Sequence, residues 1–259
     1  MLLGGDGGDE LFGGYERWMK YLRFHEQVWR RTPRRLRRVG GRAAQPFASG
    51  LAKDISRRAS EGGDLFVGSR LFHDDDLVRY LGPRGRATIA AESPEQAILD
   101  LRRRFDANHP EGDYLAWMSY VMLKTHLAED FLARLDKMGM AESVEGRVPL
   151  LDPVLAAWAF GVPQAEKVPG YRSKAMFRQA AAPLLPRYIT ERPKQGFCPP
   201  VADWAAALIA TRSDEPGILA EEGLVAPDAL ARLAREPSAN ASFALWTLGT
   251  LTAWCSNNL

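Results

Sequence analysis

Residues 4–15 read GGDGGDELFGGY, almost at the first residue of the chain. Glycines interrupt three acids, Asp6, Asp9 and Glu10, and the run closes on Leu11, Phe12 and Gly13-Gly14. Glycine takes φ > 0 without steric cost and lets a backbone approach a ligand closely. Amide N–H groups in such a turn can hold phosphate, and neighbouring carboxylates can hold Mg²⁺. The run lacks the Lys-Ser/Thr ending of a P-loop and the spacing of a dinucleotide fingerprint. Taken alone it fits a nucleotide turn, a calcium turn or a merely tight surface turn. A nucleotide turn normally follows a strand, and Met1-Leu2-Leu3 is too short to be one.

The chain beyond the turn reads as mostly α. Trp18, Tyr21, Leu22 and Val28 have helical spacing within 15–30, and Pro33 and Gly40-Gly41 break the segment after it. Residues 60–70 and 82–94 are rich in Gly, Ser and Pro and read as loops. A helix is expected over 94–106 with Pro94 at its start. Asp113 can cap a long amphipathic helix through Leu135, with Leu115, Met118, Met122, Leu123, Leu127 and Phe131 on one face. Asp152 can cap 153–160, with Pro153 in its first turn. Ser173 is placed to cap a helix running to Leu185. Helices also fit 199–210, 227–235 and 240–256, and alternating strand-like runs are nearly absent.

Composition sets broad limits. The chain of 259 residues carries 34 Lys+Arg against 32 Asp+Glu, so net charge selects no partner. Cys198 and Cys255 lack ligand spacing, which argues against zinc and against a disulfide framework. No apolar run reaches the ~18 residues of a membrane span, and the start lacks a secretory pattern. A cytoplasmic protein with no membrane and no nucleic-acid partner is the expectation. One local bias stands out: Arg30, Arg31, Arg34, Arg35, Arg37, Arg38 and Arg42 cluster, with no acid between Glu26 and Asp54. An anion patch is one reading. The solvated face of a surface helix pair is favoured, because no aromatics interleave the arginines.

Two further segments join the glycine turn. Residues 129–152 read EDFLARLDKMGMAESVEGRVPLLD, and 192–199 read RPKQGFCP. Charges set among apolar residues must be paired or serve a ligand. An internal ion pair such as Glu145–Arg147 and a substrate site fit the first segment equally from spacing. Lys194, in a stiff glycine-bearing loop, can reach a phosphate as a mobile point charge.

In this order, GGDGGDELFGGY, LDKMGMAESVEGRVPLLD, SKAMFRQAAAPLLP and RPKQGF closely resemble the synthetase domain of glutamine-hydrolysing asparagine synthetases. The resemblance runs with gaps from residue 2 to about 210. It implies the C-terminal part of an α/β domain of the ATP pyrophosphatase (adenine-nucleotide α-hydrolase-like) type, mainly α as present. Residues 1–210 would be a partial synthetase domain and 211–259 its helical tail. The implied chemistry is ATP-dependent amide formation: aspartate becomes β-aspartyl-AMP, and ammonia from glutamine displaces AMP. By resemblance Gly5, Asp6 and Gly7 lie against the nucleotide, and Asp6 can serve as a general base toward ammonia. Asp9 matches an acid that helps hold Mg²⁺ with pyrophosphate, and Lys194 a lysine that contacts the phosphates during adenylation. Asp130, Arg134, Asp136 and Lys137 fall in the stretch lining the aspartate and phosphate side. Glu145 and Arg147 are assigned a structural role.

The departures are equally specific. Gly4 stands where the family usually has serine, and the Ser-Gly-Gly-x-Asp-Ser pyrophosphatase loop is absent from this sequence. So are the glutaminase domain and most of the preceding parallel sheet. The chain is therefore read as a fragment, inactive alone, whose partners include the missing N-terminal half or a glutaminase domain. A homodimer is left open. Two alternatives remain: a related enzyme forming amides on another carboxylate, and a non-catalytic helical interaction module.

Overall fold

The computed structural model describes residues 1–48, 50–63, 65, 79–91, 94–193, 199–201, 203–205, 207, 217–236 and 239–258. The chain divides into two compact units, Met1–Gly68 with Leu101–Lys194, and Ser69–Asp100 with Gln195–Leu259. Helices dominate both, as the sequence implies. Among the described residues none is long and apolar enough to cross a membrane.

The first unit opens with a correction. Leu2–Leu3 is a strand, β1, and it pairs in parallel with β2 (Gly146–Arg147). Leu2 faces Gly146 and Leu3 faces Arg147. The Leu2 N–H donates to the Glu145 carbonyl and the Gly4 N–H to the Arg147 carbonyl, both at 2.8 Å. Two residues are too few to show a period, so only the distant partner makes β1 legible. A glycine turn follows β1 and enters α1 (Gly8–Phe12). Next come α2 (Glu16–Phe24), continued by a π turn His25–Trp29, then α3 (Arg34–Ala44) and α4 (Gly50–Glu61).

Helix α3 runs through Gly40-Gly41, where a break is expected from sequence. The reason is packing. Gly41 is buried where α3 meets α4, and a Cβ there would lie 2.6 Å from the Ser56 carbonyl oxygen. The Arg37 guanidinium sits 4.4 Å over the Trp29 ring and ties α3 to the end of α2. Below, a buried polar cluster locks α4 to α2. The Tyr21 hydroxyl donates to Asp54 at 2.7 Å, and Arg58 Nε donates to the same carboxylate at 3.1 Å. Burial alone would raise the Asp54 carboxyl, but Arg58, the Tyr21 hydroxyl and Arg57 hold it below its ordinary value.

The central element is the expected long helix. It runs as α7 (Tyr114–Met122), a π-wound stretch Leu123–Leu132, and α8 (Ala133–Ala141). Asp113 caps it, accepting from the Ala116 N–H at 2.8 Å. Its other oxygen accepts from the Gln164 N–H at 2.7 Å and so joins two elements. Residues 114–119 are buried on every side, and with Leu11, Phe12, Leu22, Phe105 and Leu127 they form the core.

Two further expectations change. Residues 83–91 form helix α5 (Pro83–Ala91), not loop; Pro83 is tolerated because it opens the helix. Helix α6 (Pro94–Asn108) follows as expected. Asp152 caps α9 (Pro153–Gly161) through the Val154 and Leu155 N–H groups, as expected. After α10 (Gln164–Lys167), however, Ser173 caps nothing. Lys174 holds the position before α11 (Ala175–Ala181), in left-handed backbone at φ 51°. Helix α12 (Arg187–Thr190) ends this unit's described elements.

The second unit contains α13 (Gly217–Glu221), α14 (Ala229–Arg235) and α15 (Ala239–Asn258). Its core gathers Tyr80, Ala205, Ala229, Leu233, Ala241, Ala244 and Leu245. Part of the helix expected over 199–210 lies outside the described residues.

Candidate active site

The glycine turn is shaped by what packs beneath it. Gly7, at φ 89°, precedes α1, and Gly13, at φ 65°, ends it. A Cβ on Gly7 would overlap the Leu151 side chain, and one on Gly8 would lie 2.9 Å from Leu150 Cδ1. A Cβ on Gly4 would meet Val148 Cγ1 at 3.5 Å and Leu135 Cδ2 at 3.7 Å. The apolar run 148–151 is thus a floor for the turn. Two segments that the sequence holds far apart meet here because β1 and β2 pair. The same Gly4 position lies 2.8 Å from Asp6 Oδ2. A serine there would displace the Asp6 carboxylate from its present place.

Asp9 projects from the first turn of α1 and forms an ion pair with Lys174 at 2.9 Å. Both side chains are mostly buried. Any Cβ on Gly14 would overlap Asp9 Oδ1 and Lys174 Cε. Glycine at 14 therefore makes the space in which this pair forms. The Lys174 N–H also donates to the Gly13 carbonyl at 3.2 Å, so backbone and side chain both tie α11 to the turn. Sequence reasoning misses Lys174. Its segment, SKAMFRQ, reads as a helix start, and a lysine beside a helix carries no signal until its partner is known.

Behind Asp9 the turn is anchored in the core. Glu10 is fully buried, accepts a hydrogen bond from the Tyr15 hydroxyl, and its carbonyl accepts from Ser119 Oγ at 2.6 Å. Burial, the bond to Glu10 and the charges of Glu10, Asp9 and Asp6 push the Tyr15 phenol far above its ordinary value. Tyr15 therefore stays a neutral donor, and the carboxylates crowd this end of the unit with negative charge.

The remaining expected residues divide. Arg134 pairs with Asp130 at 2.7 Å, and His126 approaches the same carboxylate at 3.6 Å. Asp136 and Lys137 are exposed one turn further on. None of these four is hydrogen-bonded or ion-paired to the glycine turn among the described residues. Glu145 and Arg147 do pair, at 2.7 Å, but on an exposed surface and not internally as expected, because their segment is an edge whose side chains face water. Their backbones carry the pairing with β1. Lys194 lies outside the described residues. An open cleft of about 520 Å³ runs along α11, lined by Pro169, Arg172, Ala175, Arg178, Thr190 and Glu191. Its two arginines suit an anionic group, and Arg178 is steadied by donating to the Thr190 carbonyl at 2.9 Å.

The donor chemistry bears on a metal. Among the described residues no group of three or more His, Cys, Asp or Glu side chains could hold one. Mg²⁺ is commonly bound through one or two carboxylates together with substrate phosphates. Asp6 and Asp9, two hard oxygen donors on one glycine turn, fit that mode and not a cage of protein ligands.

A family model described as asparagine synthase matches residues 1–256. A Mycobacterium tuberculosis protein described as a putative glutamine-hydrolyzing asparagine synthetase is 31% identical over 208 residues, 80% of this chain and 31% of the relative. The Bacillus subtilis glutamine-hydrolyzing asparagine synthetase 1 is 27% identical over 204 residues, 78% of this chain and 31% of the relative. The chain thus spans about a third of the length of the curated relatives it matches. No solved structure matches it.

Proposed function

Because the chain belongs to the asparagine synthase family, we propose that its glycine turn, the 148–151 floor and Lys174 form one wall of a site for ATP-dependent amide formation. Aspartate is the carboxylate and glutamine-derived ammonia the nitrogen source. The observation that carries this reading is the Asp9–Lys174 pair at 2.9 Å beside a turn shaped by glycines. An acid of the glycine turn and a lysine held against it have the two charges that a metal-bound polyphosphate needs.

In this reading Gly5, Asp6 and Gly7 lie against the nucleotide. Lys174 holds Asp9 in place, and can turn its charge to a phosphate when the carboxylate takes a cation. Asp9, with Asp6 beside it in the turn, would hold Mg²⁺. The ion would offset negative charge on the phosphates as pyrophosphate leaves. Lys194 contributes a second positive charge to the phosphates. Adenylation joins the aspartate β-carboxylate to the α-phosphorus and releases pyrophosphate. Asp6 then takes a proton as ammonia attacks the acyl carbon and AMP leaves. Asp130, Arg134, Asp136 and Lys137 belong to the substrate side in this reading, and the arginine-lined cleft along α11 is a second place for a carboxylate.

The wall needs a counterpart. A two-stranded sheet is marginal alone, and parallel sheets are ordinarily covered on both faces. We read the chain as inactive until a segment carrying the phosphate-binding loop completes the sheet. The test is aspartate-dependent ATP–pyrophosphate exchange. It is run on the chain alone and on a chimera in which the chain replaces the matching segment of the Bacillus subtilis synthetase. No exchange alone, and exchange in the chimera that is lost in Asp9→Asn, is the expected result. Exchange by the chain alone overturns the fragment reading. Exchange in the chimera with a different carboxylate reassigns the substrate, and an inactive but folded chimera favours an interaction module.

A further inference from the structure

We propose that the outward side of α3 and the turn after it form a docking surface for an anionic phospholipid bilayer. This departs from the expectation of no membrane partner, and it stands apart from the reading of the glycine turn.

The helix carries two rails side by side. At 100° per residue Leu36, Val39 and Ala43 fall within about 60° of one another, and beside them Arg35 and Arg42 fall within about 20° of each other. All five are exposed. Leu36 is 62% exposed and Val39 67%, and Phe47, in the turn Gln45–Phe47 that ends the helix, is 91% exposed. A monomer does not ordinarily leave a row of large apolar side chains in water beside a row of arginines. The arrangement is that of a helix lying in a membrane interface, with apolar residues below the headgroups and cations level with them.

The body of the unit holds this helix in place from the opposite side. Arg37 lies on Trp29, Gly41 packs on the α4 backbone, Arg34 donates to the Gly62 carbonyl at 2.7 Å, and the Arg38 guanidinium packs against Gly62. The two rails are therefore preformed and do not depend on a partner to fold them.

Charge selects the occupant. No acid occurs between Glu26 and Asp54, and Asp54 itself is buried against Arg58. A second copy of the same face would bring like charges together. RNA would satisfy the arginines but leave Leu36, Val39 and Phe47 without a role. A phosphate-bearing lipid surface meets both rails along their whole length. Guanidinium groups suit it because they bind phosphate through paired donors.

The test is sedimentation of the full chain with vesicles of phosphatidylcholine alone, and of phosphatidylcholine mixed with phosphatidylglycerol. Binding to the anionic vesicles only, weakened by added salt, is expected. Arg35→Glu with Arg42→Glu should lower the affinity at least about tenfold. Leu36→Ser with Phe47→Ser should also lower it, at unchanged charge, while both variants keep the parent circular dichroism spectrum. Equal binding to neutral vesicles, or none to anionic ones, overturns the proposal. So does full binding by the serine variant, which would mark a site that reads charge alone. Binding of RNA or an acidic protein in place of vesicles likewise overturns it.

Discussion

Asp9 and Lys174 show how much one pair can depend on its surroundings. Each charge is mostly removed from water, and each is compensated by the other at 2.9 Å. Removing one partner leaves a desolvated charge behind, whereas removing both does not. Lys174→Met should therefore destabilise the chain by about 1–2 kcal/mol, and the double variant with Asp9→Asn by less than the sum of the singles. Chemical denaturation of the four proteins checks this, and additive losses would contradict a direct pair. In the chimera, Asp9→Asn should lower exchange about 100-fold or more if Asp9 acts as proposed, by removing charge stabilisation at the reacting phosphates. His25 gives a separate prediction. It stacks on Tyr114 at 4.0 Å, and burial pushes its pKa down to about 4. The unfolded chain binds this proton more readily than the folded one. Stability is therefore full above the unfolded value of about 6.5, falls as pH drops toward 4, and levels off below that. The loss is about 3 kcal/mol at most. His25→Phe keeps an aromatic ring but cannot protonate, so its melting temperature should lack this slope between pH 6.5 and 4.

At the scale of elements, the aspartate caps are readable from sequence, whereas the expected Ser173 cap does not form and the crossings are not readable. Asp113 and Asp152 cap the helices that their spacing predicts, because a cap acts on N–H groups two or three residues away. Asp113 also accepts from Gln164, which no local pattern reveals. Asp113→Ala should thus cost about 2 kcal/mol, more than an ordinary cap, while Asp152→Ala should cost about 1. Thermal unfolding of the two variants distinguishes them. Gly40-Gly41 reads as a break because glycine weakens a helix interior. The helix continues because Gly41 lets α3 approach the α4 backbone, and the contact outweighs the propensity. Gly41→Leu should force the two helices apart and cost about 2–3 kcal/mol, visible in the same melting experiment.

Across the whole chain the notable feature is apolar surface left in the open. Helix α9 is apolar all round, yet Val154 is 79% and Trp158 53% exposed. Leu184, Leu185, Tyr188 and Ile189 are exposed on the following segments, as are both strand residues Leu2 and Leu3. Such surface is ordinarily covered by another part of a domain or a partner. The isolated chain should self-associate with rising concentration in sedimentation velocity, and Val154→Ser with Tyr188→Ser should reduce this. A monodisperse monomer at all concentrations would count against the fragment reading.

What the sequence determined by itself was local or shared by a family. The glycine turn, the helix starts at Pro94, Asp113 and Asp152, and the order of four segments are all legible, because each signal lies within a few residues. The tertiary structure alone decided that Leu2–Leu3 is a strand, that α3 survives its glycines, and that Lys174 answers Asp9. Each of these rests on a partner distant in sequence. Hydrogen bonds, steric contact and ion pairing act through space, and no pattern along the chain records which distant residues will share it.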